Sequence, residues 1–133
     1  MEFLISWKKE YEIGIPEIDS QHQFFVGIIQ KINAAYANDQ DKDYISLLIK
    51  ELYKYVDFHF ISEENNMIFH NYPEYKNHKK EHDALLSRLS ELIGVFESEF
   101  IDRSELMDFL MNWFVEHTTK TDKKLGDYIR LNN

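Results

Sequence analysis

The chain has 133 residues, a formal net charge of −9 and no cysteine. The lack of cysteine excludes disulfides, thiolate metal ligands and iron–sulfur clusters, and the acidic charge disfavours nucleic acid and anionic membranes as partners. Hydrophobic residues make up 44% of the chain, whereas it contains only 4 glycines and 2 prolines, so we expect one helical domain over residues 1–133.

The sequence predicts neither a membrane span nor an export signal. No run of 18 apolar residues occurs, and the N-terminus lacks the basic and apolar regions of a signal peptide. Together with the absence of cysteine, these features predict a cytoplasmic protein.

Residues 1–18 lack helical spacing and are predicted to form an extended arm across a hydrophobic groove. Asp19 or Ser20 is suited to cap the helix that follows. Apolar spacing then predicts four long helices separated by polar breaks, at about 20–37, 41–66, 73–99 and 103–118. We expect Pro73 in the first turn of the third helix and a short C-terminal helix at about 122–130. Short connections favour an all-α, antiparallel, up-down-up-down four-helix bundle.

Five of the six histidines fall on the inward faces of these helices: His22, His59, His78, His82 and His117. In an up-down-up-down bundle, the starts of the first and third helices lie at the same end as the ends of the second and fourth. The five histidines therefore converge at one level of the core, together with Glu63, one turn after His59.

This convergence predicts a metal site, because burying so many polar groups is costly unless they bind something. Imidazole nitrogens with a carboxylate suit iron, zinc, manganese or copper. Five histidines exceed the four ligands of a tetrahedral zinc ion, which suggests two metal ions.

Asp122 is a further candidate ligand whose position the spacing leaves open. It follows His117 by five residues, which on an ideal α-helix turns the two side chains about 140° apart. A π-bulge would bring Asp122 back beside His117. Alternatively, the helix ends and Asp122 begins a new turn, or it caps a last short helix.

Taken together, these motifs resemble those of the hemerythrin family, in particular its single-domain bacterial type. The resemblance covers essentially the whole chain, through these segments: the arm with Trp7 and Gly14-Ile15, DSQH ending at His22, HFISEE from His59, Tyr72-Pro73, HKKEH from His78, and WFVEHTTKTD ending at Asp122. The resemblance implies a non-heme centre of two iron ions.

Family membership would give each candidate ligand a role. One iron would be held by three histidines: His78, His82 and His117. The other would be held by His22 and His59 and would keep an open position for dioxygen. Glu63 and Asp122 would bridge the two irons, beside an oxo or hydroxo bridge.

The function that the resemblance implies is reversible dioxygen binding, for storage, delivery or buffering. The alternatives are a di-iron oxidoreductase of the peroxidase or nitric oxide reductase type, and dioxygen or iron sensing and handling. The inward faces lack an obvious general acid or base, which disfavours an enzyme. The sequence does not indicate which protein partner, if any, the chain binds.

Five residues near the open position are expected to line a dioxygen pocket: Phe25, Phe60, Trp113, Phe114 and Thr118. Family members often carry an aliphatic residue where this chain has Thr118. A hydroxyl at that position would admit water and shorten the life of the oxygenated form.

Overall fold

The computed structural model describes residues 6–132, and over these residues it contains helices and no β-strand. The α-helices are α1 (Pro16–Ala37), α2 (Lys42–Phe69), α3 (Tyr75–Ser98), α4 (Arg103–Glu116) and the short α5 (Lys123–Leu131). A π-helical segment, His117–Asp122, connects α4 to α5. Helix α1 packs against α2 and α4, and α2 packs against α3. The predicted all-α four-helix bundle is confirmed.

None of the helices in residues 6–132 combines the length and the apolar character that crossing a membrane requires.

Helix α1 begins at Pro16, four residues earlier than predicted, and proline suits this first helical position. The predicted N-cap role of Asp19 or Ser20 is therefore wrong, because both lie inside the helix. The Asp19 carboxylate instead accepts hydrogen bonds from the backbone N–H groups of Ile13 and Gly14, at 2.7 and 3.2 Å. It ties the arm to the first turn of α1.

Helix α2 continues to Phe69, three residues beyond the predicted end at 66. The helix ends where Asn71 adopts the left-handed conformation, with φ of 54°. The N–H of Tyr72 then donates to the carbonyl of Met67 at 2.9 Å, as in a Schellman motif.

Helix α3 begins at Tyr75, so the placement of Pro73 in its first turn is wrong. Pro73 lies in the connecting turn, and the helix ends at Ser98 rather than at 99. The last two predicted helices, 103–118 and 122–130, are continuous with each other. The backbone stays right-handed helical at Glu116 and at Lys123, on either side of the π-helical segment.

The N-terminal arm packs against the C-terminal part of this continuous helix. Residues 1–5 of the predicted arm lie outside the described residues. The remainder contains a 3₁₀ turn at Lys9–Tyr11 as well as extended backbone. Ile13 is buried, and its carbonyl oxygen approaches the backbone of Gly126 so closely that a Cβ at residue 126 would overlap it.

We expect Gly126→Ala to destabilise the protein by about 1–3 kcal/mol, because the new methyl group must displace the arm at Ile13. Gly94→Ala is the matched control, since a Cβ at Gly94 meets nothing within 4 Å. An alanine inside a helix stabilises by about 0.5–1 kcal/mol relative to glycine. In urea unfolding, the free energy of unfolding should therefore fall for Gly126→Ala and rise for Gly94→Ala. A change of the same sign in both variants would contradict the close approach of Ile13 to Gly126.

Two apolar clusters occupy different levels of the bundle. The larger contains most of the buried residues of α1 to α4, and the smaller contains Ile13, Ile18, Met67, Tyr72, Leu125 and Ile129. Along α2, Phe60 belongs to the larger cluster, Met67 belongs to the smaller one, and Glu63 lies between them. A polar level thus separates the two clusters.

Candidate metal centre

Seven histidine and carboxylate side chains at this level are at most 3% exposed: His22, His59, Glu63, His78, His82, His117 and Asp122. Helix α1 contributes one of them, and α2, α3 and the π-helical segment contribute two each. The structure therefore brings together all seven residues that the sequence indicates as candidate ligands.

The seven side chains form two groups, and within each group the potential ligand atoms lie within 4.8 Å of one another. The three-histidine group contains His78, His82 and His117. The two-histidine group contains His22 and His59. Both groups include the same two carboxylates, Glu63 and Asp122.

Glu63 offers a different oxygen to each group. Its Oε1 lies 2.6 Å from His78 Nε2 and 3.0 Å from His82 Nε2. Its Oε2 lies 3.5 Å from His59 Nε2. Glu63 thus spans the two groups.

Asp122 divides its oxygens in the same way. Its Oδ1 lies 2.9 Å from His78 Nε2 and 3.0 Å from His117 Nε2. Its Oδ2 lies 3.1 Å from His22 Nε2. Two carboxylates therefore lie between the three-histidine group and the two-histidine group.

The π-helical segment accounts for the position of Asp122. Its wider turn lets residues five apart share one face, which an α-helix does not allow. His117 and Asp122 are the first and last residues of the segment. Of the alternatives that the spacing leaves open, the π-helical one is confirmed. A capping role for Asp122 is wrong, because its side chain makes no capping hydrogen bond to α5.

Three histidines have hydrogen-bond partners on the ring atom that faces away from the carboxylates. The Nδ1 atoms of His59, His82 and His117 lie 2.5, 2.8 and 3.0 Å from oxygens of Gln21, Glu64 and Glu81, respectively. Such partners fix the orientation of a ligating imidazole. Gln21, Glu64 and Glu81 each lie next to one candidate ligand in the chain. Each contacts a different candidate ligand, which lies on another helix.

The sequence alone does not identify these three partners. Their positions next to His22, Glu63 and His82 in the chain are the only indication of their role that the sequence contains. A helical neighbour of an inward residue points toward the next helix. Identifying which histidine each one contacts requires knowing how the helices are arranged in space.

Several buried polar atoms of the centre lack a hydrogen bond, among them Oε2 of Glu63, both carboxylate oxygens of Asp122, and Nε2 of His78 and His117. His78 Nε2 lies 2.6 Å from a Glu63 oxygen without hydrogen-bonding geometry. Each unsatisfied buried polar atom costs about 1–3 kcal/mol. The lone pairs of these oxygen and nitrogen atoms converge with no hydrogen-bond donor between them. This arrangement fits a bound cation, which all of these atoms could coordinate.

The carboxylates and histidines change one another's pKa. Burial lowers the pKa of His59 to about 4. Burial also opposes the charged form of His78 and His117, but the nearby carboxylates outweigh it and raise the pKa values to about 9 and about 10. Burial opposes ionisation of Asp122 and Glu63 too, yet the surrounding histidines hold the pKa of both carboxyls below its usual range.

A small cavity borders the two-histidine group. Its volume is about 10 Å³, which is room for about one water-sized molecule. Four residues of the centre line it, namely His22, His59, His117 and Asp122, together with Phe25, Phe60, Trp113, Phe114 and Thr118. The five residues expected around a dioxygen pocket therefore lie around one cavity.

Two of the aromatic side chains stack directly on histidines. The ring of Phe60 lies parallel to His82 with centroids 3.8 Å apart, and Trp113 stacks on His117 at 4.6 Å. These stacked rings cover the histidines on the side of the larger apolar cluster.

Residues 13–129 match the family model of the hemerythrin HHE cation binding domain. The chain belongs to the hemerythrin family. It is 32% identical over 130 residues to the bacteriohemerythrin of Clostridium acetobutylicum, in an alignment that covers 91% of this chain and 98% of that protein. It is 29% identical over 125 residues to the bacteriohemerythrin of Methylococcus capsulatus, covering 92% and 95%.

A crystal structure of wild-type hemerythrin has the same fold, with a TM-score of 0.87 at 27% identity over 94% of this chain and 97% of that one. The resemblance that the sequence motifs indicate is thus confirmed over nearly the whole chain. The hemerythrin family binds non-heme iron, and the buried cluster described above fits a metal site.

Proposed function

We propose that this member of the hemerythrin family binds dioxygen reversibly at two iron ions, for storage, delivery or buffering of dioxygen. The observation that carries the proposal is the division of carboxylate oxygens between two sets of histidines. A site for one metal ion does not need two carboxylates that each turn one oxygen toward either set of histidines.

In this proposal, the three-histidine group holds one iron and the two-histidine group holds the other. Glu63 and Asp122 would each serve both ions, because each carboxylate turns one oxygen toward either group. With three histidines and two carboxylates, the first position has five protein ligands, whereas the second has four and more room for a further ligand. Two ferrous ions would supply the electrons on which reversible dioxygen binding depends.

The protein would contribute a dry and narrow pocket at the second position. The cavity lies beside His22 and His59, and four aromatic side chains line it. Such a lining excludes water and free protons, which would otherwise convert bound dioxygen irreversibly. The volume of about 10 Å³ admits only a very small molecule.

Anaerobic reconstitution with ferrous iron tests the proposal. We expect about two iron ions per chain, and a visible band that appears with dioxygen and disappears under vacuum over repeated cycles. One metal per chain, or zinc alone in the protein as purified, would contradict the di-iron centre. A band that does not reverse would contradict the carrier function.

A di-iron oxidoreductase is the alternative, and Thr118 is the observation that favours it. Among the described residues lining the cavity, Thr118 carries the only hydroxyl, which offers a path for water or a proton. Stopped-flow spectroscopy separates the two functions. A carrier gives a persistent oxygenated band, whereas an oxidoreductase gives rapid turnover with an added reductant.

Thr118→Ile is expected to slow autoxidation by about tenfold, equivalent to about 1.4 kcal/mol in the activation barrier, because it removes the hydroxyl from the cavity. Thr118→Val does the same without adding volume. Thr119→Val is the matched control, since the Thr119 hydroxyl donates to the carbonyl of Val115 at 2.7 Å and does not line the cavity. Decay of the oxygenated band is the measurement, and an equal or faster rate in both Thr118 variants would contradict a role for the hydroxyl.

Metal loading is expected to release about two protons per chain from His78 and His117 at pH 7. Their pKa values of about 9 and about 10 keep both rings protonated in the metal-free chain at that pH, and a metal binds only the neutral ring. His59, with its pKa near 4, contributes none. Metal affinity should therefore rise with pH up to about 10.

A pH indicator in weak buffer measures this release during titration of the metal-free chain. The number of protons released should fall as the starting pH is raised from 7 to above 10. A release that does not change with pH would show that the two rings are already neutral at pH 7.

A further inference from the structure

We propose that the hydrogen-bond partners of the histidine Nδ1 atoms make the two metal positions unequal. The three-histidine group would retain its metal more tightly, whereas the metal of the two-histidine group, beside the cavity, would exchange more readily. The inference rests on the proposed two-metal centre and concerns residues outside the seven candidate ligands.

The first observation is the pair of His82 and Glu64. His82 turns Nε2 toward Glu63, so a metal there takes the Nε2 lone pair and leaves the proton on Nδ1. That N–H then donates to Glu64 Oε2, at 2.8 Å. The Glu64 side chain is only 16% exposed, so its charge is weakly screened. A carboxylate acceptor makes the imidazole a stronger donor to the metal.

A second carboxylate supports the same group. His117 Nδ1 donates to Glu81 Oε1 at 3.0 Å. The hydroxyl of Thr121 lies 2.9 and 3.2 Å from the two Glu81 oxygens and holds the carboxylate in place. Glu81 is 49% exposed, so solvent screens it more than Glu64 and its effect should be smaller.

The two-histidine group has a neutral partner instead. His59 Nδ1 donates to the amide oxygen of Gln21. The amide nitrogen of Gln21 donates to Ser62 Oγ at 3.2 Å, and Ser62 in turn donates to Glu17 at 3.4 Å. This chain of hydrogen bonds fixes the Gln21 oxygen toward His59, but it presents no charge to the ring.

The remaining two histidines do not change this balance. The Nδ1 atoms of His22 and His78 have no hydrogen-bond partner in the part of the chain that the structure describes. Carboxylates therefore support two rings of the three-histidine group and neither ring of the two-histidine group. Loss of such a partner costs about 10–100-fold in metal affinity, so the difference is large enough to separate two binding steps.

Graded chelator competition on the anaerobic, two-iron ferrous protein tests the inference, with iron per chain as the readout. We expect wild type to lose its metals in two steps. Glu64→Gln, which keeps the size of the side chain, should reduce by about 10–100-fold the chelator concentration that removes the tighter metal. Glu81→Gln should act on the same step with a smaller effect.

Gln21→Glu is the reciprocal variant, because it places a carboxylate on His59. It should raise the chelator concentration needed for the weaker step by about tenfold or more. A gain in retention cannot come from damage to the fold. Glu74→Gln is the matched control: Glu74 lines the same surface cavity as Glu81, but the hydrogen bond its side chain accepts comes from Asn77. It should leave both steps unchanged.

The inference is overturned if wild type loses both metals in one step, if Glu64→Gln shifts the weaker step, or if Glu74→Gln matches Glu64→Gln. If Gln21→Glu does not fold, the two glutamate-to-glutamine variants decide the question. The test is independent of dioxygen. Two-step loss without a reversible dioxygen band would overturn the proposed function alone, and a reversible band with unshifted variants would overturn this inference alone.

Discussion

Asp122→Asn is expected to abolish loading with two iron ions and to remove the dioxygen-dependent band. Asp122 is the residue whose two oxygens contact both groups, with Oδ1 beside His78 and His117 and Oδ2 beside His22. The substitution keeps the shape of the side chain but replaces one of its two oxygens with an amide nitrogen, which cannot bind a metal. The loss in affinity should exceed the roughly 10–100-fold that follows removal of an outer hydrogen-bond partner.

Iron per chain after anaerobic reconstitution measures this effect. Asp83→Asn is the matched control, because Asp83 is an exposed carboxylate that pairs with Lys79 on the outer face of α3. It should bind the wild-type amount of iron. An Asp122→Asn protein that still holds two irons and still cycles with dioxygen would rule out the proposed bridging role of Asp122.

Most of the bundle could be predicted from the sequence because its buried faces repeat at helical spacing. Along α2 the apolar positions Ile45, Leu48, Leu52 and Val56 lead directly to His59 and Glu63, and all of them are buried. The same periodicity, with the direction of each helix, is enough to bring five histidines to one level. The polar groups of the centre occupy core positions, so the spacing of the apolar residues also predicts where these groups lie.

Helix ends were harder to predict because local chemistry allowed several solutions. Asp19 has the side chain of an N-cap, yet it sits in the first turn of α1 and holds the arm instead. Proline suits the first helical turn at both Pro16 and Pro73, and only Pro16 occupies one. Which solution is adopted depends on the contact between the arm and the bundle, which is not visible in a local window.

The hydrogen-bond partners of the histidines depend on a further level of information. Glu81 precedes His82 in the chain but contacts His117, which is on another helix. Its role follows from which helices are neighbours and how they are rotated, rather than from spacing. Likewise, Asp122 could be placed beside His117 only by assuming a change of helix type that the local sequence does not specify.

That change of helix type leads to the second large effect, an insertion in the π-helical segment. One alanine added after Lys120 should remove both metals and destabilise the protein. An extra residue rotates everything after it by about 100°. Asp122 would leave the centre, and Leu125 and Ile129 would leave the core, at about 1.5–3 kcal/mol for each apolar side chain.

Deletion of Lys120 is the matched control, and we expect it to be tolerated. It leaves three residues between His117 and Asp122, so the two become four positions apart, and an α-helix places residues four apart on one face. The π-helical turn would become an α-helical turn, and α5 would keep its register against the arm. Iron content and urea unfolding measure both variants. Equal damage from both would show that the wider π-helical turn itself, rather than the register that it maintains, is required for the centre.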